Sequence, residues 1–429
     1  MKILDRMGGY LSFIGQDQHR PQQKWLRDMV YGIYAGHSVM LSEIGRALRE
    51  PLQIAQTEKR LSRNLNSGRL DETAIQRRVL EHASTLTRRN DGQGVVVAVD
   101  YTDIQKPYTR RRKGSMEHAC VCRDGSRGDK GIGYPIVQIE ACLPTGVQLP
   151  LVYHPFSFIE PGYRSQTLTF LDKIGMAAPY VGTRAWWVFD RGFDGNPYFA
   201  GLDEIGLRWI CRLKVNNTES AKATDRFIQV PDGRVVRIDE AAAMIVPRLT
   251  VKKIIARGKR AVSIRIGAIT VRTVEAHGKG AGKRRPWGAA RTLIAAWGIR
   301  VQGAPFMLLV SEELKSGAEI LDAFNAYLKR WHAEEATRSF KDSRSWGPRL
   351  EDARALTLRG MRRLALVICA VYGFMALLRV SADSVAQVAL KAIMIFKAGT
   401  DCRYRLFRGI SQTLQAIGRV RRARWRAAQ

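Results

Sequence analysis

The stretch GVVVAVDYTDIQ, residues 94–105, decides the fold class, because its β-branched run is typical of a buried strand. The run from Val95 to Val99 predicts such a strand, with Asp100 at its end. The stretch AWWVFDRGFDG, residues 185–195, has the same form and leads through Asp190 into a glycine-containing turn. Two buried strands that each end in a carboxylate predict an α/β domain with acidic groups at one sheet edge.

Predicted strands and predicted helices alternate in the chain around these two strands. A hairpin is predicted at residues 133–156, helices at 163–177 and 197–206, and a further strand at 208–216. Residues 1–90 and the chain from residue 318 onward show the apolar period of helices. Residues 216–305 instead alternate apolar residues with arginine, which is typical of an inserted antiparallel β unit.

Charge and composition narrow the classes of function. The 429 residues carry 70 Lys and Arg against 39 Asp and Glu, and this net charge of +31 favours a polyanionic partner. The alternative is a basic surface without such a partner. The most apolar run, residues 364–378, is shorter than the ~20 residues that span a bilayer, so we expect a core helix and no membrane partner. The six cysteines lack a disulfide framework and no signal peptide is recognised, which favours the cytoplasm.

A third carboxylate lies on a predicted helix, in YLKRWHAEEATRSFKD, residues 327–342. On a continuous helix, four side chains project within a stripe about 60° wide, with a fifth about 20° beyond it. These side chains are Tyr327, Arg330, Glu334 and Lys341, followed by Arg338. Hard cations such as Mg²⁺ prefer carboxylate ligands, and two of them suit phosphodiester chemistry. Each carboxylate alone also fits a structural role, but three together with basic neighbours indicate metal-dependent chemistry on a phosphate backbone.

This arrangement resembles the IS4 family of DDE transposases. Residues 327–341 match the family's Y-R-E-K signature without departure, and the two aspartates, the β insertion and the glutamate follow in the family's order. The resemblance covers roughly residues 95–342 and extends more loosely to the N-terminal helices. It implies an α/β fold with an RNase H-like mixed-sheet catalytic core, interrupted by an antiparallel β insertion and flanked by helical N-terminal and C-terminal regions.

We predict five segments along the chain. They are a helical DNA-binding region (1–90), the first part of the core (91–215), the β insertion (216–305), the second part of the core with the glutamate helix (306–350) and a basic helical C-terminal region (351–429). Within the first segment, residues 41–65 resemble a helix-turn-helix in outline, which favours DNA contact. Helix pairs with basic residues are nevertheless common in proteins without this role.

The resemblance also assigns roles to residues. Asp100, Asp190 and Glu334 would hold two divalent ions, Mg²⁺ or Mn²⁺. The residues that would bind the DNA backbone are Tyr327, Arg330, Lys341, Arg338 and Arg191. Phe306 and Trp297, with Trp287 nearby, are candidates for stacking on a flipped base, although aromatic residues on strands more often pack in a core.

The implied reaction is metal-dependent cleavage at the terminal inverted repeats of double-stranded DNA, followed by attack of the freed 3′-OH on target DNA. Cutting two ends in one complex implies a homodimer on DNA. Two alternatives stay open: a transposase-derived DNA-binding protein that does not cleave, and a host nuclease. A zinc site at His118, Cys120 and Cys122 and a phosphate loop at residues 278–283 both lack the required spacing.

Overall fold

The computed structural model describes residues 2–106, 116–123, 130–214, 226–254, 261–277, 283–299, 305–331, 348–380 and 403–427. Over these residues the fold is mixed α/β, with eleven α-helices and a large mixed sheet. The chain divides into two compact units. The first comprises residues 1–90, 100–182 and 331–429, and the second comprises residues 91–99 and 183–330. The predicted division into five segments is finer than this one and stays a prediction.

The first unit contains eight of the helices in the described chain. They are α1 (Lys2–Ile14), α2 (Arg20–Gly36), α3 (Leu41–Leu48), α4 (Ile54–Leu65), α5 (Glu72–Thr87), α6 (Gln166–Ala177), α10 (Leu358–Val380) and α11 (Arg403–Ala427). Asp71 caps α5 by accepting a hydrogen bond from the Ala74 amide, and Ser165 caps α6 from Leu168. Such side chains satisfy the free amides of a first turn, so these two starts follow from the sequence.

Helix α10 forms the centre of the first unit's core. By length and hydropathy it would suffice to cross a membrane, yet 83% of its most apolar window is buried inside the protein. Tyr34 of α2 donates a hydrogen bond to the carbonyl of Val371 at 2.6 Å. The buried guanidinium of Arg363 donates to the carbonyls of Leu65 and Leu70. These contacts are those of a core helix, as its length predicts.

Helices α2, α3 and α4 pack closely on one another. At Gly32, an added Cβ would lie 2.4 Å from Cγ2 of Ile44, so only glycine lets α3 approach α2 this closely. The Trp25 indole of α2 donates to the Leu61 carbonyl of α4 at 3.1 Å. The turn at residues 49–53 contains a proline and separates α3 from α4. Residues 41–65 therefore form two short helices around a Pro-containing turn, as the predicted helix-turn-helix outline requires.

A network of charged groups fixes α4 to α2 and to the turn. Arg60 donates to Asp28 at 2.8 Å and to both carboxylate oxygens of Glu50 at 2.9 Å. Thr57 and Lys24 also donate to Glu50. Burial raises the pKa of Glu50, but these hydrogen bonds outweigh burial and leave the pKa below its ordinary value of 4.5.

Replacing Glu50 with glutamine is expected to lower the free energy of unfolding by about 1 kcal/mol at neutral pH, because charge-assisted hydrogen bonds become neutral ones. A lowered carboxyl pKa stabilises the fold above the unfolded-state pKa, and this contribution is lost as the pH falls through the folded-state pKa. In urea titrations the difference in free energy of unfolding between the two proteins should reach its maximum above pH 4.5 and disappear at lower pH.

The control for this prediction is Glu43→Gln, which removes the more exposed ion pair between Glu43 and Arg46. It should change the free energy of unfolding by less than about 0.5 kcal/mol. A Glu50→Gln effect of the same size at every pH would contradict the assignment to the carboxylate charge.

The strands of the first unit are the second half of β1 (Val96–Gln105), β2 (Cys120–Arg123), β3 (Lys130–Cys142) and β4 (Gln148–Pro155). β3 pairs antiparallel with β2 and with β4, which confirms the predicted hairpin. β1 neighbours β3, and the Lys106 amide donates to the Ile132 carbonyl at 2.7 Å. Because this pairing extends β1, Asp100 lies inside the strand, and the expected strand end at Asp100 is wrong.

The second unit contains a mixed sheet built from the first half of β1 and eight further strands. They are β5 (Trp186–Phe189), β6 (Trp209–Arg212), β7 (Phe227–Gln229), β8 (Val235–Arg237), β9 (Leu249–Ile254), β10 (Ala261–His277), β11 (Lys283–Trp297) and β12 (Phe306–Val310). β1, β5 and β6 are parallel, whereas β6, β12, β11, β10, β7 and β8 follow as antiparallel neighbours. The predicted antiparallel insertion is observed, and β12 pairs with β6.

The second unit also contains α7 (Asn196–Ile205), α8 (Ile238–Met244) and α9 (Gly317–Leu328). Ser316 and Glu319 form a capping box that starts α9. The helix ends at Leu328, because the amides of Lys329 and Arg330 bond to carbonyls only three residues back. The expectation of one continuous helix through residues 327–342 is therefore wrong at this turn. Glu334, Arg338 and Lys341 lie outside the described residues.

Candidate functional site

The candidate site lies in the second unit, where the parallel strands end. The register pairs Phe189 of β5 with Val99 of β1 on one side and with Cys211 of β6 on the other. Asp190 and Arg212 directly follow the paired residues Phe189 and Cys211, so a carboxylate and a guanidinium occupy neighbouring positions at one sheet edge. The carboxyl ends of parallel strands are a common location for ligand sites in α/β proteins.

The carboxylate of Asp190 is fixed by the turn that follows it. Its Oδ1 accepts a hydrogen bond from the Gly192 amide at 2.8 Å, which caps the short helical turn Arg191–Phe193. An added Cβ at Gly192 would lie 2.9 Å from that same oxygen. The glycine therefore gives the carboxylate its position, and the side chain stays partly exposed at the sheet edge.

On the neighbouring strand β6, the Arg212 guanidinium packs on one of two aromatic rings that contact each other. Arg212 lies over the Phe306 ring at 4.6 Å from the ring centre, and Phe306 meets the Tyr327 ring edge-on at 5.5 Å. Such arrangements combine a cation–π contact with an aromatic pair. β12 therefore presents Phe306 to β6 on one side and to α9 on the other.

Tyr327 and Arg330 are both buried, at 2% and 7% exposure. Burial raises the pKa of Tyr327, and the positive charges of Arg330 and Arg212 oppose that rise only in part. The phenol is therefore neutral, and its hydroxyl has no hydrogen-bond partner within the described part of the chain. Direct contact with a DNA phosphate would require these two side chains to become exposed.

Helix α9 is held on β5 by a polar contact. The Trp186 indole donates to Oδ2 of Asp322 at 2.9 Å, and the Arg208 guanidinium lies over the same indole ring at 3.9 Å. Ala323 and Phe324 are fully buried on the packed face of the helix. Since α9 carries Tyr327, this docking places the tyrosine at the strand ends.

Asp100 belongs to the first unit and directly follows Val99. Its Oδ1 accepts a hydrogen bond from the Tyr101 amide at 3.0 Å. At the end of the same strand, the buried Lys106 ammonium donates to the carbonyls of Leu350 and Ala353 at 2.7 and 2.8 Å. This contact ties β1 to the segment that follows the undescribed residues 332–347.

Several other residues named from the sequence lie elsewhere in the second unit, and their predicted roles stay predictions. Arg191 is exposed on the turn after Asp190, and Trp297 is half-buried opposite Arg265 of β10. Trp287 packs 4.9 Å from the Arg291 guanidinium, in line with the packing alternative. Asp194 forms a buried ion pair with Arg226.

Asp190 provides a carboxylate at this sheet edge, a group type that can hold a metal ion. In the described ranges, no group of three or more His, Cys, Asp or Glu side chains is placed to hold an ion. Asp190 Oδ1 is held by the Gly192 amide, whereas Oδ2 accepts no hydrogen bond from the described residues. Carboxylate oxygens of this kind suit hard cations such as Mg²⁺.

Arg212 is the site residue that the sequence did not predict. It belongs to RWICRLKVN, which was assigned correctly as a strand but without a role for its arginine. A strand-end arginine has no motif of its own. Its position next to Asp190 follows only from the pairing of β5 with β6.

Comparisons with known proteins find a distant structural neighbour. No family model matches the chain, and no curated protein matches it in sequence. Among solved structures, the chain is similar to a piggyBac transposase in a synaptic complex with hairpin DNA, with a TM-score of 0.40 and 10% identity. The match covers 99% of this chain and 79% of that chain. At this TM-score the similarity carries no functional argument, so the proposal that follows rests on the chain's own residues.

Proposed function

We propose that the chain is a DNA transposase of the IS4 type, which cleaves double-stranded DNA at transposon ends and joins the freed 3′-OH to target DNA. The observation that carries this proposal is the sheet edge of the second unit. There Asp190 and Arg212 occupy neighbouring positions at the ends of β5 and β6, and Tyr327 and Arg330 follow on α9 and its terminal turn. A carboxylate among guanidiniums suits a site that holds a cation and a phosphate together.

The strand order supports an RNase H-like core as part of this proposal. In the first unit, β1 neighbours β3, which pairs with β4. In the second unit, the other half of β1 pairs in parallel with β5, and β5 pairs with β6. We further propose that Asp100, Asp190 and Glu334 act together, although the described residues include only the two aspartates.

Two divalent ions, Mg²⁺ or Mn²⁺, are part of the proposal. When bound, they would supply Lewis-acid stabilisation of the charge on the phosphate and its attacking oxygen. Asp100, Asp190 and Glu334 would hold them. Arg212 would neutralise a phosphate oxygen next to Asp190, and the Gly192 amide would keep the Asp190 carboxylate in place. The two DNA ends imply a homodimer on DNA, and the site of action is the cytoplasm.

The test of the proposed function is cleavage of duplexes that carry the terminal inverted repeats flanking the gene, in Mg²⁺ or Mn²⁺. Nicking at the repeat ends with a free 3′-OH is the expected product. Tight binding of these duplexes without nicking would favour the non-cleaving alternative. A gene without flanking repeats or target duplications would favour a host nuclease instead.

Replacing Tyr327 with phenylalanine is expected to raise the free energy of unfolding by about 1 kcal/mol, because it removes a buried hydroxyl without a hydrogen-bond partner in the described structure. The same change should slow DNA cleavage about tenfold if that hydroxyl donates to a phosphate during the reaction. Urea unfolding and cleavage rates measure the two effects.

Tyr34→Phe is the matched control, since the Tyr34 hydroxyl donates to the Val371 carbonyl. It should lower the free energy of unfolding by about 1 kcal/mol and leave cleavage unchanged. If both substitutions lower the free energy of unfolding, the Tyr327 hydroxyl contributes to the stability of the fold and is not an unpaired group available to the reaction.

A further inference from the structure

The exposed face of α4 is a second charged surface, which lies in the first unit and outside the cleavage site. Thr57, Leu61 and Leu65 are the buried residues of this helix. On the opposite side, Gln56, Lys59 and Arg63 are exposed and project within about 60° of one another. We name these three residues the α4 face.

An open surface groove follows the α4 face. It is lined by Gln56, Lys59, Arg60, Arg63 and Asn64, all from α4. Lys59 and Arg63 make this groove positively charged. The one carboxylate of the helix, Glu58, projects about 160° from Gln56, on the far side of the helix. The groove therefore suits a polyanion.

Arg60 has a different role from its neighbours, because it is engaged inside the protein. Its guanidinium bonds to Asp28 and Glu50, and both carboxylates are mostly buried. Arg60 thereby fixes α4 to α2 and to the turn before α4. The helix is rigidly positioned by this network and by Trp25, while the α4 face stays available for a partner.

The chemistry of the α4 face fits base edges as well as phosphates. Glutamine forms paired hydrogen bonds with adenine, and arginine and lysine do so with guanine, in the major groove. The second helix of a helix-turn-helix pair enters that groove, and α3 and α4 are such a pair, packed on α2. Gln56 lies in the first turn of α4, and the N-terminal residues of a recognition helix are those that contact base edges.

We infer that α4 is a sequence-reading helix that enters the major groove of B-form duplex DNA through Gln56, Lys59 and Arg63, with Arg60 as its internal support. This inference rests on the proposed function only in taking duplex DNA as the partner. It adds the residues that discriminate between DNA sequences, and it does not depend on cleavage.

The experiment uses the full chain in EDTA, which separates binding from metal-dependent cleavage. Duplexes with a random central segment of about 20 base pairs are selected for binding, since two helical turns cover a site of this kind. The affinity for the selected duplex is then compared with that for a scrambled duplex of equal length. Gln56→Ala and Arg63→Ala should each weaken binding to the selected duplex about 5- to 100-fold and change binding to the scrambled duplex much less.

Arg88→Ala is the control of equal charge, at the exposed end of α5. An equal loss with Arg88→Ala and Arg63→Ala would overturn the inference, because charge alone would then explain binding. Selection of no preferred sequence, or tighter binding of an RNA duplex, would also overturn it. Circular dichroism checks that each exposed substitution leaves the fold intact.

The proposed function and the α4 inference fail separately in these measurements. Asp190→Asn should keep the preference for the selected over the scrambled duplex, since Asp190 is not on the α4 face. Undiminished cleavage by Asp190→Asn would contradict the proposed function but not the α4 inference. A chain that cleaves DNA but selects no preferred sequence would contradict the α4 inference but not the proposed function.

Discussion

Replacing Asp190 with asparagine is expected to lower the rate of DNA cleavage about 10³-fold. A metal ion contributes several kcal/mol to the stabilisation of transition-state charge, and about 1.4 kcal/mol changes a rate tenfold. Asparagine has nearly the same size as aspartate, and its carbonyl oxygen can still accept the hydrogen bond from Gly192. The substitution therefore removes the negative charge while it keeps the turn Arg191–Phe193.

The measurement is single-turnover cleavage of an end duplex in Mg²⁺, together with the midpoint of urea unfolding. Asp232→Asn is the control, because Asp232 is exposed in the insertion and pairs with its near neighbour Arg234. It should leave cleavage within about twofold, since surface ion pairs contribute little. Equal cleavage by Asp190→Asn and the unchanged protein, at equal stability, would refute the role of Asp190 as a ligand.

The sequence predicted those parts of the fold that depend on local patterns. The runs at residues 95–99 and 186–189 form buried strands, because β-branched and aromatic residues fill the space on both faces of a parallel sheet. The helix at residues 358–380 is buried, because its apolar residues surround the helix on all sides. In both cases the residues of one short segment are enough to predict its secondary structure and its burial.

Contacts between residues that are distant in the sequence explain the features that the sequence did not predict. The sequence predicts a strand end at Asp100, but β1 pairs with the neighbouring β3 and continues to Gln105. No residue near Asp100 indicates that this pairing occurs. Helical spacing after Tyr327 assumed a continuous helix, whereas Lys329 and Arg330 form a turn. Arg212 joined the site only through strand register. Site residues that meet by pairing between distant strands leave no spacing signature in the sequence.

Gly133 gives the largest expected effect on stability, because β1 and β3 approach each other closely there. An added Cβ would lie 1.9 Å from the backbone carbonyl oxygen of Ile104 and 3.1 Å from the Cα of Gln105. These neighbours are backbone atoms of a buried strand, so they cannot rotate away as a flexible side chain would. The strands themselves would have to separate.

Gly133→Ala is therefore expected to lower the free energy of unfolding by about 3 kcal/mol or more, at the upper end of the cost of overpacking. Gly9→Ala provides the matched control, since an added Cβ on α1 meets no atom within 4 Å. That substitution should raise the free energy of unfolding by about 0.5–1 kcal/mol, because alanine loses less backbone entropy in a helix. Urea unfolding followed by tryptophan fluorescence compares the two. The two substitutions should change the free energy of unfolding in opposite directions, because the two glycines have different surroundings. Equal urea midpoints for the two variants would show that β1 and β3 can separate at no cost.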